Sequence, residues 1–193
     1  VAGGYYGSYN LDSAEVYDPE HDTWTPLPPM SCPRRGLAMG ALEGCIFCVG
    51  GWDGKHNLAT VEAYSLSTNK WHAVAPLATP RCSAACAALG GRLYVCGGWD
   101  GNIFLDTVEA FELKLPGSAK SPQGEWSTAA RMLTPRSYGA LVAAGGRLVA
   151  MGGWDGVSAR RLDSVEAFSV QSGRWAAQPT MTCPRYGLAA VVV

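Results

Sequence analysis

Hydrophobic and polar positions recur along the chain in a fixed order of short segments, and no segment shows a sustained helical period. An apolar stretch after a Pro-Arg pair leads through a glycine-containing turn into an unbroken apolar run, such as Cys45 to Val49. A third segment alternates, with Val61 and Ala63 set against Glu62 and Tyr64, and a fourth begins at a tryptophan. Unbroken runs bounded by turn residues indicate strands buried on both faces. The pattern therefore predicts an all-β protein built from repeated four-stranded units.

The four strands of each unit, a to d, are predicted from these segments. Strand a is predicted at 36–42, 83–89, 138–144 and 186–193, and strand b at 45–49, 93–96 and 148–151. Strand c contains the Val-Glu-Ala-Tyr/Phe motif, and strand d starts at Trp24, Trp71, Trp126 and Trp175. Tight turns with glycine between a and b are typical of hairpins.

The spacing of the repeated residues is constant. The first glycine of a Gly-Gly pair follows the arginine by 16 residues in three copies, at Arg34–Gly50, Arg81–Gly97 and Arg136–Gly152. Each strand-d tryptophan precedes the next such arginine by 10 residues. Insertions fall only between strands b and c, at 157–161, and between c and d, within 112–125, where 116–122 reads as a mobile loop. Length variation confined to loops indicates stacked structural repeats.

These motifs resemble Kelch repeats, and the Gly-Gly-Trp-Asp-Gly and Tyr-Asp-Pro sequences are similar to the Kelch domains of BTB–Kelch proteins. The resemblance implies a β-propeller of four-stranded blades around a channel. In BTB–Kelch proteins this domain recognises the substrates of cullin-RING ubiquitin ligases. The first copy departs from the pattern, because Gly3-Gly4 is followed by Tyr5-Tyr6-Gly7.

One propeller domain, residues 1–193, is expected to comprise about four blades' worth of sequence. Its predicted parts are a partial blade with strands b to d (1–30), three blades (31–77, 78–132 and 133–181) and the first strand of a next or closing blade (182–193). We expect a fragment of a larger propeller, commonly of six blades in the resembled group. A closed four-bladed ring is the alternative.

Charge and cysteine usage limit the possible partners and cofactors. The formal net charge is −1 with no basic block, so we expect neither nucleic acid nor an anionic membrane as a partner. The seven cysteines do not share one repeat position, which favours reduced thiols in a cytoplasmic protein. Cys45 and Cys48 would point to opposite faces of a strand, and Cys82 and Cys86 would lie about 13 Å apart. No metal site is predicted.

Enzymatic activity is not expected either. His21, His56 and His72 occupy different repeat positions, and the sequence contains no Gly-x-Ser-x-Gly motif. We therefore predict no catalytic residues and no cofactor. Actin or cytoskeleton binding and a Kelch-fold enzyme such as a copper-dependent galactose oxidase are the alternatives, but no comparable Tyr/His ligand set is present.

The d–a and b–c loops should share one end of the propeller, which we call the rim. Arginine and tryptophan there are typical of protein-binding surfaces, so we expect a partner protein or peptide, and a cullin-based ligase only through regions outside this sequence. The predicted rim residues are the repeated Arg34, Arg81, Arg136 and Arg185; the pairs Trp52/Asp53, Trp99/Asp100 and Trp154/Asp155; and the variable Arg35, Lys55, His56, Arg160 and Arg161.

The repeated arginines have a structural interpretation that competes with ligand contact. Glu15, Glu62, Glu109 and Glu166 recur as faithfully, and a buried arginine must be paired. Each arginine is therefore expected either to contact the partner or to pair with a strand-c glutamate. The strand-d tryptophans are expected to pack between blades, and the Asp-Gly sequences to form turns.

Overall fold

The computed structural model describes residues 1–114 and 122–192, and these residues form strands and turns without any helix. Within them, no segment could cross a bilayer as a helix. Residues 116–121 of the predicted mobile loop lie outside the described residues. The first blade contains the hairpin of β1 (Tyr5–Tyr6) and β2 (Tyr9–Asn10) and the two-stranded sheet of β3 (Ala14–Asp18) and β4 (Thr23–Leu27). Its predicted strand b contributes a single bridge, Ala2 to Ala14.

The next three blades are four-stranded antiparallel sheets in which the strands follow one another in chain order, a to d. The second blade has β5 (Ala38–Leu42), β6 (Cys45–Val49), β7 (Val61–Ser65) and β8 (Lys70–Val74). The third has β9 (Ala85–Leu89), β10 (Arg92–Cys96), β11 (Val108–Lys114) and β12 (Gln123–Ala129). The fourth has β13 (Ala140–Ala144) and β14 (Arg147–Met151), a b–c hairpin of β15 (Trp154–Asp155) and β16 (Arg160–Arg161), and then β17 (Val165–Ser169) and β18 (Arg174–Gln178).

Strand a starts two residues later than predicted in these three blades. Gly36, Ser83 and Tyr138 have φ angles of 60°, 55° and 54°, which are incompatible with an extended strand. The predicted strand at 186–193 is wrong over residues 186–192, which form no strand, and Val193 lies outside the described residues. No described strand lies beside this segment to complete a hydrogen-bonded ladder.

The core lies between adjacent blades, where large side chains from neighbouring sheets meet. Phe47 of the second blade contacts Phe111 of the third, with ring centroids 5.5 Å apart and both rings fully buried. Tyr94 and Phe168 repeat this contact between the third and fourth blades at 6.0 Å. Burial of one such ring stabilises the fold by about 1.5–3 kcal/mol. The innermost strands β5, β9 and β13 pack side by side around the channel.

The strand-d tryptophans join neighbouring repeats, as the sequence predicted. Trp71, Trp126 and Trp175 stack on the strand-c aromatic of their own sheet, with centroids 5.1–5.4 Å apart. Their indole N–H groups donate to main-chain carbonyls of the preceding d–a segment, at Pro28, Ala75 and Ala130. The corresponding Trp24 stacks in the same way but is 54% exposed. The described chain is thus an open arc of a propeller and not a closed four-bladed ring.

Candidate partner-binding rim

The d–a and b–c loops meet at one end of the blades. In three blades a main-chain bridge joins the residue after the repeated arginine to the tryptophan of the same blade: Arg35 to Trp52, Cys82 to Trp99, and Ser137 to Trp154. Each bridge consists of two N–H···O bonds of 2.7–3.1 Å. The two kinds of loop therefore form one continuous surface, the rim.

Three of the repeated arginines lie beneath this surface. Arg34 and Arg81 are fully buried, and Arg136 is 4% exposed. Each pairs with the strand-c glutamate of its own blade: Arg34 with Glu62 at 2.6 Å, Arg81 with Glu109 at 2.6 Å, and Arg136 with Glu166 at 2.5 Å. The structural interpretation therefore holds for these three, and they are not available to a partner. Arg185 is exposed and forms no such pair within the described residues.

Each buried pair also organises the loops around it. In the third blade Arg81 donates to the carbonyls of Gly97 and Thr107, at 2.9 and 3.1 Å. Glu109 accepts main-chain N–H bonds from Ala78 and Thr79. These bonds tie the d–a segment to the Gly-Gly turn and to the start of strand c. The second and fourth blades contain the same kind of buried pair, which explains why arginine and glutamate recur together in the sequence.

The rim aspartates form the turns that the Asp-Gly sequences predicted. Asp53 accepts the main-chain N–H groups of Lys55 and His56, both at 2.7 Å. The N–H groups of His56 and then Lys55 hold the pKa of Asp53 below its ordinary value. Asp100 accepts the N–H groups of Asn102 and Ile103, and Asp155 accepts that of Val157. These carboxylates shape the loops that carry the variable side chains.

Arg35 and Trp52 lie between two depressions on the rim. The first, of about 320 Å³, is bounded by both residues together with Asn57, Cys82, Ser83, Trp99 and Tyr138. The second, of about 430 Å³, lies on the other side of the same two residues, beside Tyr5, Tyr9 and Asn10. The Arg35 guanidinium stacks over the Tyr5 ring at 4.7 Å. Asn57 Oδ1 is buried yet lacks a hydrogen-bond donor among the described residues.

Other predicted rim residues lie on the b–c loops of the three blades. Lys55 and His56 are exposed on the b–c loop of the second blade. Trp99 stacks on Phe104 at 4.5 Å in the third blade. In the fourth blade Trp154 contacts Tyr186 at 5.9 Å, and Arg161 lies over the same ring at 5.4 Å, beside exposed Arg160. The rim thus presents cations held against aromatic rings.

Sequence reasoning missed a main-chain belt at the mouth of the channel. The residue two after each repeated arginine has positive φ in every copy, at Gly36, Ser83, Tyr138 and Gly187. Ser83, Tyr138 and Gly187 each donate their N–H to the carbonyl of the preceding member, at 2.6, 2.9 and 2.8 Å. The belt brings Ser83 and Tyr138 to the first depression. Glycine at two of the four positions is the only signal in the sequence.

The described residues contain no cluster of three or more His, Cys, Asp or Glu side chains that could hold a metal. All seven cysteines belong to the described part of the chain and are free thiols. Burial raises the pKa of Cys48 to about 12 and that of Cys96 to about 12. Thiols with such pKa values are not nucleophiles at neutral pH.

Comparison with known proteins agrees with this geometry. The family model described as the KLHDC2/KLHL20/DRC7 Kelch-repeats domain matches residues 1–193. No curated protein matches the chain. Among solved structures, that of YjhT is similar in fold, with a TM-score of 0.71 at 14% identity over 88% of this chain. The match covers 53% of YjhT, so the chain spans about half the length of that structure.

Proposed function

The chain belongs to the Kelch-repeat domain family of the KLHDC2/KLHL20/DRC7 type, and from that premise we propose that it binds a partner protein or peptide through the rim. Kelch-repeat domains are typically protein-interaction modules. The observation that carries the proposal is the position of Arg35 between two depressions, both bounded by Trp52 and the first also by Trp99. Exposed arginine beside tryptophan is the residue combination that dominates binding energy at protein interfaces.

The chemistry of the first depression favours an acidic peptide. Arg35 supplies a fork of N–H donors that matches a carboxylate, and stacking on Tyr5 limits the rotamers of its side chain. Trp52 and Trp99 provide apolar area on either side. An acidic residue flanked by apolar side chains matches both features.

The proposed site keeps only part of the predicted set. It contains Arg35, Trp52, Lys55, His56, Trp99, Trp154, Arg160, Arg161 and Arg185. Arg34, Arg81 and Arg136 are excluded by burial, and Asp53, Asp100 and Asp155 act by shaping the loops. In a longer protein this module would present substrates to a cullin-RING ubiquitin ligase, which co-purification of cullin with the complete protein would test. We do not propose a catalytic function. Detection of a stoichiometric amount of bound metal by elemental analysis would contradict this part of the proposal.

The proposal is tested by comparing the peptide affinity of a variant with reversed charges on the rim with that of a variant with reversed charges elsewhere. Acidic peptides selected by the purified chain from a displayed library provide the probe. The triple variant Arg35→Glu, Lys55→Glu, Arg160→Glu should lose at least tenfold in affinity for them by calorimetry, with an unchanged melting temperature. The matched control reverses Lys70, Arg147 and Arg174, which are exposed at strand starts on the opposite end of the blades.

Retention of peptide affinity by the rim variant would show that the rim is not the site. Equal loss in the control would show that net charge, not the rim, attracts the peptides. Failure of the unaltered chain to select any acidic peptide would contradict the proposed ligand class.

A further inference from the structure

The first blade departs from the repeated pattern at the rim, and this departure forms one side of the second depression. Its b–c segment has the sequence Tyr5-Tyr6-Gly7-Ser8-Tyr9, where the next three blades have Trp-Asp-Gly. The segment forms the hairpin of β1 and β2, in which Tyr5 lies opposite Asn10 and Tyr6 lies opposite Tyr9. The depression, of about 430 Å³, lies between this hairpin and the second blade. Its walls therefore come from two neighbouring repeats of this sequence.

Contacts between the two repeats hold the walls of the depression in place. Asn10 Nδ2 donates to the main-chain oxygen of Trp52 at 3.2 Å, and the same oxygen accepts the main-chain N–H of Arg35. The Arg35 guanidinium lies 4.7 Å from the centroid of the Tyr5 ring. Pro33, whose ring fixes its own φ angle, adds a rigid apolar surface on the side of the second blade. The depression is thus formed by the folded chain itself.

Aromatic rings and hydrogen-bond donors line this depression. Tyr5 and Tyr9 are 53% and 73% exposed, and Trp52 is partly buried. The strand-d indoles donate to main-chain carbonyls, but the Trp52 indole N–H has no acceptor among the described residues. In the same part of the chain, the hydroxyl groups of Tyr5 and Tyr9 and the guanidinium of Arg35 donate no hydrogen bond either. Four side chains at the depression are therefore able to donate to a ligand.

Two acceptors beside these donors already have partners within the chain. Asp53 Oδ1 accepts the main-chain N–H groups of Lys55 and His56, both at 2.7 Å. The carbonyl of Trp52 accepts the hydrogen bonds from Asn10 and from the residue after Arg34. The depression thus offers a ligand more donors than acceptors. It matches a ligand that presents carbonyl oxygens and apolar rings and few N–H groups.

A proline-rich segment in the polyproline II conformation has this chemistry. Proline has no main-chain N–H, and a polyproline II helix makes no internal hydrogen bonds, so its carbonyl oxygens are available to outside donors. Its conformation exists before binding, so little conformational entropy is lost in the complex. Grooves lined by aromatic side chains are the surfaces on which such segments bind.

We propose that the second depression binds a proline-rich segment of a partner protein in the polyproline II conformation. The rings of Tyr5, Tyr9 and Trp52 pack against the proline rings, and the Trp52 indole and Arg35 donate to carbonyl oxygens of the segment. A trimethylated lysine, which aromatic rings can also hold, matches the site less well, because the Arg35 cation already covers the Tyr5 ring. The first depression contains neither tyrosine of the hairpin, so the two sites can be tested separately.

Titration of the chain with a dye-labelled decaproline peptide, followed by fluorescence anisotropy, tests the proposal. Tyr9→Ala should weaken binding about tenfold, because it removes one aromatic ring from the wall. Trp52→Phe should weaken binding about fivefold, because it keeps an aromatic face but removes the indole donor. In ¹H–¹⁵N NMR spectra of the unaltered chain, the indole signal that Trp52→Phe lacks should shift saturably with added unlabelled decaproline.

Tyr6→Ala is the matched control, because Tyr6 belongs to the same hairpin but does not line the depression. Its affinity for decaproline should equal that of the unaltered chain, and circular dichroism melts establish that each variant is folded. A flexible Gly-Ser peptide of the same length should not bind.

The proposal would be overturned if the unaltered chain failed to bind decaproline or bound the Gly-Ser peptide equally well. Equal losses in Tyr6→Ala and Tyr9→Ala, or tighter binding of a trimethyl-lysine peptide than of decaproline, would also overturn it. Neither the expected result nor these outcomes depend on whether acidic peptides bind the first depression.

Discussion

The role of the repeated arginines can be measured by comparing two ion pairs that have the same N···O distance but differ in burial. Arg81 and Glu109 lie 2.6 Å apart with side chains 0% and 6% exposed. Arg92 and Glu112 also lie 2.6 Å apart, but they are 47% and 60% exposed. Replacement of one partner by methionine preserves much of the apolar stem in each case. The two substitutions therefore differ in the solvation of the charge left behind and in the main-chain carbonyls that only Arg81 bonds.

Arg81→Met should lower the free energy of unfolding by about 3–5 kcal/mol, because it leaves a buried carboxylate without its cation. It also removes the donors to Gly97 O and Thr107 O. Arg92→Met should cost at most about 1 kcal/mol, since water replaces the exposed partner. For a domain of this size, 1 kcal/mol corresponds to about 2–4 °C in melting temperature. The expected shifts are on the order of 10 °C for Arg81→Met and at most about 4 °C for Arg92→Met.

Circular dichroism melts of both variants, with urea unfolding followed by tryptophan fluorescence, provide the measurement. The double variant Arg81→Met, Glu109→Gln should be more stable than Arg81→Met alone, because a neutral amide still accepts the N–H bonds of Ala78 and Thr79. Equal shifts for the buried and exposed pairs would refute the view that burial makes these pairs structurally important. So would a double variant whose losses are simply additive.

Three further predictions concern single contacts. Trp126→Phe keeps the ring packing but removes the 2.7 Å bond to Ala75 O, so thermal melts should show a loss of about 1 kcal/mol or more. Tyr138→Gly relieves a positive φ of 54° and should raise stability by about 0.5–1 kcal/mol while weakening peptide binding, since the ring lines the first depression. The pKa values of about 12 for Cys48 and Cys96 lie above the unfolded value of about 8.5, so their thiols ionise first in the unfolded state. The free energy of unfolding should therefore fall above about pH 9 by about 1.4 kcal/mol per pH unit for each thiol, and replacement of both by alanine should remove the part of that slope due to these two thiols in urea titrations.

Most of the fold could be predicted from the sequence, because the same short patterns of apolar, polar and glycine residues recur in each blade. Predicted strands b match β6 to the residue and β10 and β14 to within one residue. The strand predictions fail where tertiary contacts determine the backbone conformation. Ser83 and Tyr138 read as strand residues, but the belt at the channel mouth holds them at positive φ. Residues 186–192 carry strand-forming side chains, yet a strand also needs a neighbour to complete its hydrogen bonds.

The candidate site was predicted less completely than the fold, because residue type and sequence spacing do not reveal whether a side chain is exposed. Arg34 and Arg35 are adjacent and chemically identical, but one is buried and the other lies on the rim. Copy-to-copy recurrence separates them: arginine is found at the first position in every copy, and Arg35 is replaced by Cys82, Ser137 and Tyr186. Tyr5 and Asn57 could not be placed beside Arg35 from sequence, since the contact joins different loops.

The relation between these adjacent positions explains how a repeated scaffold can bind an asymmetric ligand. The buried arginine fixes the main chain through the carbonyls of the Gly-Gly turn and of the residue before strand c. The next residue is then bridged to the rim tryptophan in the same way in three blades. Its side chain is free of that structural role, and it is a cation in the second blade, a thiol in the third and a hydroxyl in the fourth. A peptide lying across the rim would therefore meet a cation at this position only beside the second blade, and its acidic residue would set the direction in which the peptide is bound.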